Sequence, residues 1–425
     1  MNTRISLDRN YARQLDQQDP LAFYREQFVI DDPDTIYMDG NSLGRLPLAV
    51  VERTREVVTR EWGKNLISSW NQGWWESPIR IGEKVAKLIG ASPGQVIVCD
   101  SVSIDLFKLT MAVLSRQTGR AKIITDTLNF PSDLYVLQGC VNLLGNKHKI
   151  VRIGSQDGDI TPDLDGLNAA IDQDTALVTL SHVTYKSGYL YDMAAITEKA
   201  HQVGALVIWD LCHSVGALPI DLDGCKVDFA LGCSYKYLNG GPGSPAFIYA
   251  SHKMQEIAMS PIWGWWSQNT PFAFDLDYTP AAGMKKFLTG SQSILSMLGL
   301  EAALAPHLQA GMQPLRDKSI QMSEYIIQLS DSILAPLGFK LGSPRDPNRR
   351  GSHISLRHPE GYRINRVLID ELNVIPDFRE PDNIRFGLAP LYTTFCDVWE
   401  AIERSRQAVA DRLFEKIPPT RLTVT

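Results

Sequence analysis

Short apolar runs alternate with helical segments through the middle of this chain, and this restricts the fold more than any other feature. Ala176-Leu177-Val178-Thr179-Leu180 and Ala205-Leu206-Val207-Ile208-Trp209 are continuous apolar runs, as expected of strands covered on both faces. Between them Met193, Ile196, Ala200 and Val203 recur at helical spacing, with Asp192 placed to cap, which makes a βαβ unit. Val96 to Cys99 and Lys122 to Thr125 read as further strands, followed by helices over Ser103 to Ser115 and from about Pro131. Repetition of the unit from about residue 60 to 290 predicts an α/β domain with a mostly parallel sheet and helices on both faces.

The pattern changes on either side. A polar N-terminal arm leads to a turn at Asp39-Gly40-Asn41-Ser42-Leu43-Gly44 and a helix from Pro47 to about Trp62. Beyond the sheet, Met322, Ile326, Leu329 and Ile333 mark an amphipathic helix, a polar loop runs from Gly342 to Gly351, and Ser352 to Arg357 and Ile384 to Gly387 read as strands of a smaller α+β lobe. The division expected is an arm and first helix over 1–60, a large α/β domain over 61–295 and a small C-terminal domain over 296–425. A chain of 425 residues exceeds one compact core, in keeping with two lobes.

Composition narrows the partners. A net charge of −6 without a basic stripe gives no basis for nucleic-acid binding and favours a small-molecule partner. Six cysteines show neither Cys-x-x-Cys spacing nor a disulfide framework, so no metal is expected and the thiols read as reduced, in a cytoplasmic protein. Arg4, Asp8, Arg9 and Asp16 interrupt any apolar leader, and no run reaches the ~18 residues of a membrane span.

Ligands of an open parallel sheet bind beyond the carboxyl ends of its strands. Asp210 directly follows a run too apolar to hold a carboxylate without a partner, although a helix cap or a structural ion pair would also explain it. His213 follows three residues later. Ser234-Tyr235-Lys236-Tyr237-Leu238-Asn239-Gly240-Gly241-Pro242-Gly243 places a lysine at a strand end beside a glycine-rich turn. Alone it suits a surface lysine. With Asp210 lying 26 residues earlier, it suits the pair that pyridoxal phosphate (PLP) requires, an aspartate for the pyridinium nitrogen and a lysine for the aldehyde. The Val102-Ser103 junction offers helix N-terminal amides to a phosphate, as any strand-to-helix junction does. In Asn129-Phe130-Pro131-Ser132-Asp133, Phe130 could stack on a planar ring or simply be core.

These segments, together with Arg385-Phe386-Gly387 and Pro390-Leu391-Tyr392, resemble the bacterial kynureninases, a family of fold-type-I PLP enzymes, over nearly the whole chain. The resemblance implies a seven-stranded-type sheet, Lys236 as the Schiff-base lysine, Asp210 on the pyridinium nitrogen and Tyr235 as a proton relay. It implies a cofactor shell of Val102, Ser103, Phe130, Pro131, Ser132, Asp133, Ser181, His213 and Tyr235. Trp265 and Ser291 match positions that reach the phosphate from a second subunit, hence a homodimer. Arg385 matches the clamp for the substrate α-carboxylate, a domain-linking ion pair being the alternative. Trp70, with Trp74 and Trp75, would wall an aryl pocket or pack in the core, and Asn41 and Gln268 are further candidates for substrate contact.

The reaction implied is hydrolysis of L-kynurenine to anthranilate and L-alanine, as used in tryptophan catabolism and NAD biosynthesis. Gln268 stands where relatives carry histidine, Cys212 where they carry alanine, and Ser291 where they carry threonine or asparagine. The first of these departures suggests a ring-substituted substrate such as 3-hydroxykynurenine. The rivals are a cysteine desulfurase, an aminotransferase and a non-catalytic PLP-fold binding protein. Tyr235 before the lysine, and Cys396 in a probable helix as the only late thiol, disfavour the first. Lys236, Asp210 and Arg385 occurring together disfavour the last.

Overall fold

The computed structural model describes residues 7–418 and 420; Arg4 and the outermost residues of the expected N- and C-terminal segments lie outside the described residues. After a helix over Arg9–Gln17, strand β1 (Ile36–Tyr37) leads to the Asp39–Gly44 turn and a helix over Leu48–Glu56 that continues as a wider-wound turn over Val57–Asn65.

The large sheet has seven strands: β2 (Val96–Cys99), β3 (Lys122–Asp126), β4 (Lys149–Ile153), β5 (Thr175–Ser181), β6 (Leu206–Asp210), β7 (Phe229–Gly232) and β8 (Ala246–Ala250). Their spatial order is β2-β8-β7-β6-β5-β3-β4. β4, β3, β5, β6 and β7 run parallel, whereas β8 is antiparallel to both neighbours. β5 and β6 are buried almost throughout, which is why they read as continuous apolar runs. The helix Met193–Gln202 between them starts where expected, with Asp192 Oδ1 accepting from the Ala195 N–H at 3.1 Å.

Two strands of this large sheet escape the sequence reading. β4 lies at the sheet edge and is half exposed, so its residues alternate instead of forming an apolar run. β8 is fully buried but returns antiparallel directly after the glycine-rich lysine loop, outside any βαβ repeat.

The smaller lobe carries β9 (Lys340–Leu341), β10 (His353–Arg357), β11 (Val374–Ile375), β12 (Asp377–Arg379) and β13 (Asn383–Gly387). Four of these form an antiparallel sheet in the order β12-β13-β10-β9, while β11 pairs in parallel with β1. Ala12, Ile36 and Met38 pack into the same apolar core as Ile354, Ile384 and Ile402, so the start of the chain is built into the C-terminal lobe. Asp16 fixes the join, its carboxylate accepting from the Phe395 and Cys396 N–H groups at 2.6 and 3.0 Å where the helix Phe395–Ala410 begins.

Candidate active site

Three of the motifs, far apart in sequence, meet at one place. The Gly44 N–H donates to the Tyr235 carbonyl oxygen at 2.8 Å, and a Cβ at Gly44 would stand 2.3 Å from the Lys236 carbonyl oxygen, so only glycine lets the turn lie this close. The Gly387 N–H donates to the Met38 carbonyl oxygen at 2.6 Å, bringing the Arg385 strand to the same turn.

Between them lies a cleft of about 280 Å³. Lys236, Tyr235, Asp210 and His213 line it from the large sheet, and Arg385 from β13. Val102, Ser103, Phe130, Ser132 and Asp133 come from two helix starts, and Asn41 from the turn. Pro131 occupies the first position of its helix, where a missing N–H costs nothing. Ser181 lies one strand over from Asp210, with Oγ 3.4 Å from Asp210 Oδ2 and 2.5 Å from Asn129 Oδ1.

The electrostatics follow from burial. Asp210 Oδ1 accepts from the Cys212 N–H at 2.7 Å. Burial, reinforced by the Asp210 charge, pushes the Asp133 carboxyl well above the usual carboxylate range, so Asp133 keeps its proton. Lys236 Nζ stands 3.3 Å from His213 Nε2. Burial and the adjacent Lys236 charge push His213 well down, leaving a neutral ring able to accept from the ammonium. The Cys233 thiol beside it and burial raise the Tyr235 phenol, which stays protonated.

The donor set fits PLP. The helices Val102–Leu114 and Pro131–Leu143 both begin without a side-chain cap, so the Val102, Ser103 and Ser132 N–H groups can donate to an anion, whereas Pro131 has no N–H and the Asp133 N–H donates to the Phe130 carbonyl oxygen at 3.0 Å. Ser103 Oγ and Ser132 Oγ lie 3.2 Å apart at that point. Phe130 is 44% exposed into the cleft and meets Tyr185 edge-on at 5.3 Å, leaving a ring face open. Asn41 is fully buried, and its side-chain amide has no hydrogen-bond partner among the described residues.

Six expected residues do not line this cleft in a single chain: Pro131 and Ser181 adjoin residues that do, and Trp70, Trp265, Gln268 and Ser291 lie elsewhere. Trp265 and Gln268 border a second depression with Trp263, Phe274 and Tyr278. The Gln268 amide is spent on its own loop, accepting from the Asn269 and Thr279 N–H groups and donating to the Asp277 carbonyl oxygen. Trp70 packs against Trp266 at 5.2 Å in a tryptophan cluster with Trp75, while Trp74, edge-on to Trp70 at 6.0 Å, donates to Glu61. Ser291 is exposed in the turn after Gly290. Conversely, Ser42, Tyr185 and Arg379 line the cleft without having been singled out. Arg379 was signalled by strand alternation, lying two residues after Asp377 on the strand opposite Arg385.

One acidic cluster elsewhere, Cys99, Asp100 and Asp105, has ligand-like spacing, but Lys108 supplies its cation, donating to Asp100 and lying 3.4 Å from Asp105 Oδ1.

Residues 315–404 match the family model described as "Kynureninase C-terminal domain". The chain is 44% identical over 400 residues to the kynureninase of Pseudomonas fluorescens, covering 93% of this chain and 94% of that one. It is 43% identical over 403 residues to the kynureninase of Burkholderia pseudomallei strain 1106a, covering 94% of each. Among solved structures, a cysteine desulfurase from Thermococcus onnurineus NA1 superposes with a TM-score of 0.76 at 18% identity, over 94% of this chain and 98% of that one. A variant of C-DES with glycine covalently linked to its PLP cofactor gives 0.79 at 19% identity, over 90% of this chain and 98% of that one. The structural likenesses establish the PLP fold type I, and the sequence likeness, which spans both lobes, is much closer: this chain belongs to the kynureninase family.

Proposed function

We propose that this chain uses PLP held on Lys236 to hydrolyse the Cβ–Cγ bond of L-kynurenine, or of a ring-substituted kynurenine such as 3-hydroxykynurenine, giving anthranilate or its substituted form and L-alanine. The observation that carries the reading is one cleft in which Lys236, Asp210 and Arg385 converge in a member of this family. The cofactor, when bound, supplies an electron sink for negative charge at the α- and β-carbons.

Asp210 would hold the ring nitrogen, Phe130 the ring face, and Val102, Ser103 and Ser132 the phosphate. His213, held neutral, accepts a hydrogen bond from Nζ at 3.3 Å and orients Lys236, which would take the substrate α-proton once the substrate amine has replaced it on the cofactor. Tyr235, kept protonated, donates to the γ-carbonyl oxygen as water adds to that carbon. Arg385 orients the substrate through its α-carboxylate. The cysteine desulfurase and aminotransferase readings are not favoured by the relatives.

A second copy of the chain is part of this reading. Phe272, Phe274 and Leu276 are 68%, 80% and 102% exposed beside Trp265, an apolar surface that water disfavours and a homodimer interface would cover. Such a dimer could carry Trp265, Ser291 and Gln268 to the neighbour's cleft. No described helix is long and apolar enough to cross a membrane. All six cysteines are unpaired, in keeping with a reducing compartment, and we place the enzyme in the cytoplasm.

The test compares purified PLP-loaded protein with Lys236→Ala. The wild type should absorb in the near-ultraviolet to blue and release fluorescent anthranilate from L-kynurenine, and the variant should lose both. Release of anthranilate by Lys236→Ala at the wild-type rate would overturn the assignment. Comparing kcat/KM for kynurenine and 3-hydroxykynurenine separates the two substrates.

A further inference from the structure

Arg385 is marked for the substrate carboxylate, yet most of its guanidinium is already engaged. Nε donates to Asp377 Oδ1 at 2.6 Å, Nη2 to Asp377 Oδ2 and Nη1 to the Tyr185 carbonyl oxygen. Its side chain is 2% exposed. Arg379 is the second guanidinium of the cleft, and its side chain is 31% exposed.

Strand geometry explains the pairing. Asp377 stands directly opposite Arg385 across the β12–β13 ladder, and Arg379, two residues on, shares the face of Asp377. Asp377 Oδ2 therefore receives three donors: Arg385 Nη2, Arg379 Nη2 at 2.8 Å and Ser42 Oγ at 2.7 Å. Two guanidiniums face one ionised carboxylate, which leaves one positive charge for one incoming carboxylate. Asp39 lies alongside, and burial together with the Asp377 charge pushes its carboxyl up, so that it keeps its proton and does not cancel that charge.

We propose that Arg379 is a specificity-determining contact for the substrate α-carboxylate, acting from the open side of the cleft beside Arg385, with Asp377 as the positioning residue that holds both guanidiniums. This rests on the reading of the site as one for kynurenine. Lysine is no equal substitute, because a point charge cannot hold Asp377 and a ligand carboxylate together as a planar fork can.

The test uses PLP-loaded wild type, Arg379→Gln and Arg379→Lys. Two ligands are compared: L-kynurenine, and kynuramine, which has the same aryl ketone and amine but no carboxylate. Losing a charged hydrogen-bonding contact should raise the kynurenine KM in Arg379→Gln by about 10- to 100-fold. Arg379→Lys should fall between the two. kcat should change by less than about threefold, and the inhibition constant of kynuramine should stay within about twofold in both variants, because a contact to the missing carboxylate cannot affect it. Asp377→Asn should show the same split. Parallel weakening of both ligands would indicate a merely structural role, and unchanged constants would indicate no role; either result overturns the proposal. Failure of the wild type to turn over either kynurenine or 3-hydroxykynurenine would sink the functional reading instead. The affinity ratio of the two ligands, read from spectral titration of the bound cofactor, would then still decide the role of Arg379.

Discussion

Glu301 accepts from Arg80 Nε and Nη2 at 2.9 and 3.0 Å and from Lys84 Nζ at 2.9 Å. Burial alone would raise its carboxyl, but the Arg80 and Lys84 contacts outweigh it and lower it to about 2. A carboxyl depressed on folding stabilises the native state above its unfolded value, and that stabilisation is lost as the pH falls through the folded one. After allowance for solvent screening of a partly exposed group, Glu301→Gln should cost about 2 kcal/mol at pH 7. The gap from wild type should close between about pH 4.5 and pH 2, as read by urea unfolding across that range. In the cleft, Lys236 and Asp210 were legible because a charged residue ending an apolar run needs a chemical reason. Tyr185 was not, since it stands in a loop four residues past the end of β5, and nothing local tells which way such a ring turns. The engagement of Arg385 by Asp377 depends on a cross-strand register that the sequence does not reveal.

At the scale of elements, the start of the helix Val102–Leu114 carries an unexpected device. Lys108, fully buried, donates to Asp100 and to the Phe287 carbonyl oxygen at 2.6 Å, while Asp100 Oδ1 accepts from Thr289 Oγ1 at 3.2 Å. One ammonium thus balances Asp100 beside the expected phosphate site, while burial pushes the Asp105 carboxyl up to about 7, and the same ammonium pins the turn that carries Ser291. Lys108→Met would leave Asp100 and Asp105 unpaired, at a cost of about 3–5 kcal/mol in chemical denaturation and with weaker retention of PLP on dialysis. Wild-type stability in this variant would show that the network is dispensable. The strands of the βαβ repeat were legible because burial on both faces writes a continuous apolar run. The edge strand β4 and the reversed strand β8 were not, because edge position and strand direction are settled by pairing between distant segments.

Over the whole molecule, the first and last helices form one unit. Asp19 pairs with Lys318 at 2.7 Å, both side chains buried, and Asp16 caps the helix Phe395–Ala410. Asp16→Ala should cost about 1–2 kcal/mol, and thermal unfolding followed by the fluorescence of Trp399 in that helix would register the loss. The polar arm gave no sign of this docking, because Ala12 is its one fully buried apolar residue in a helix that otherwise reads as polar. The exposed aromatic loop makes a prediction of its own: Phe274→Asp with Leu276→Asp should shift the sedimentation coefficient from dimer to monomer and weaken PLP binding. A wild type that sediments as a monomer at micromolar concentration would contradict the dimer.

The central claim, that this cleft cleaves the Cβ–Cγ bond of kynurenine with water, is tested most directly by quantifying both products. PLP-loaded protein incubated with L-kynurenine and no keto acid should yield anthranilate and L-alanine in a ratio of about one to one. Recovery of both kynurenine and 3-hydroxykynurenine intact in parallel incubations, or their consumption without equimolar alanine, would contradict it.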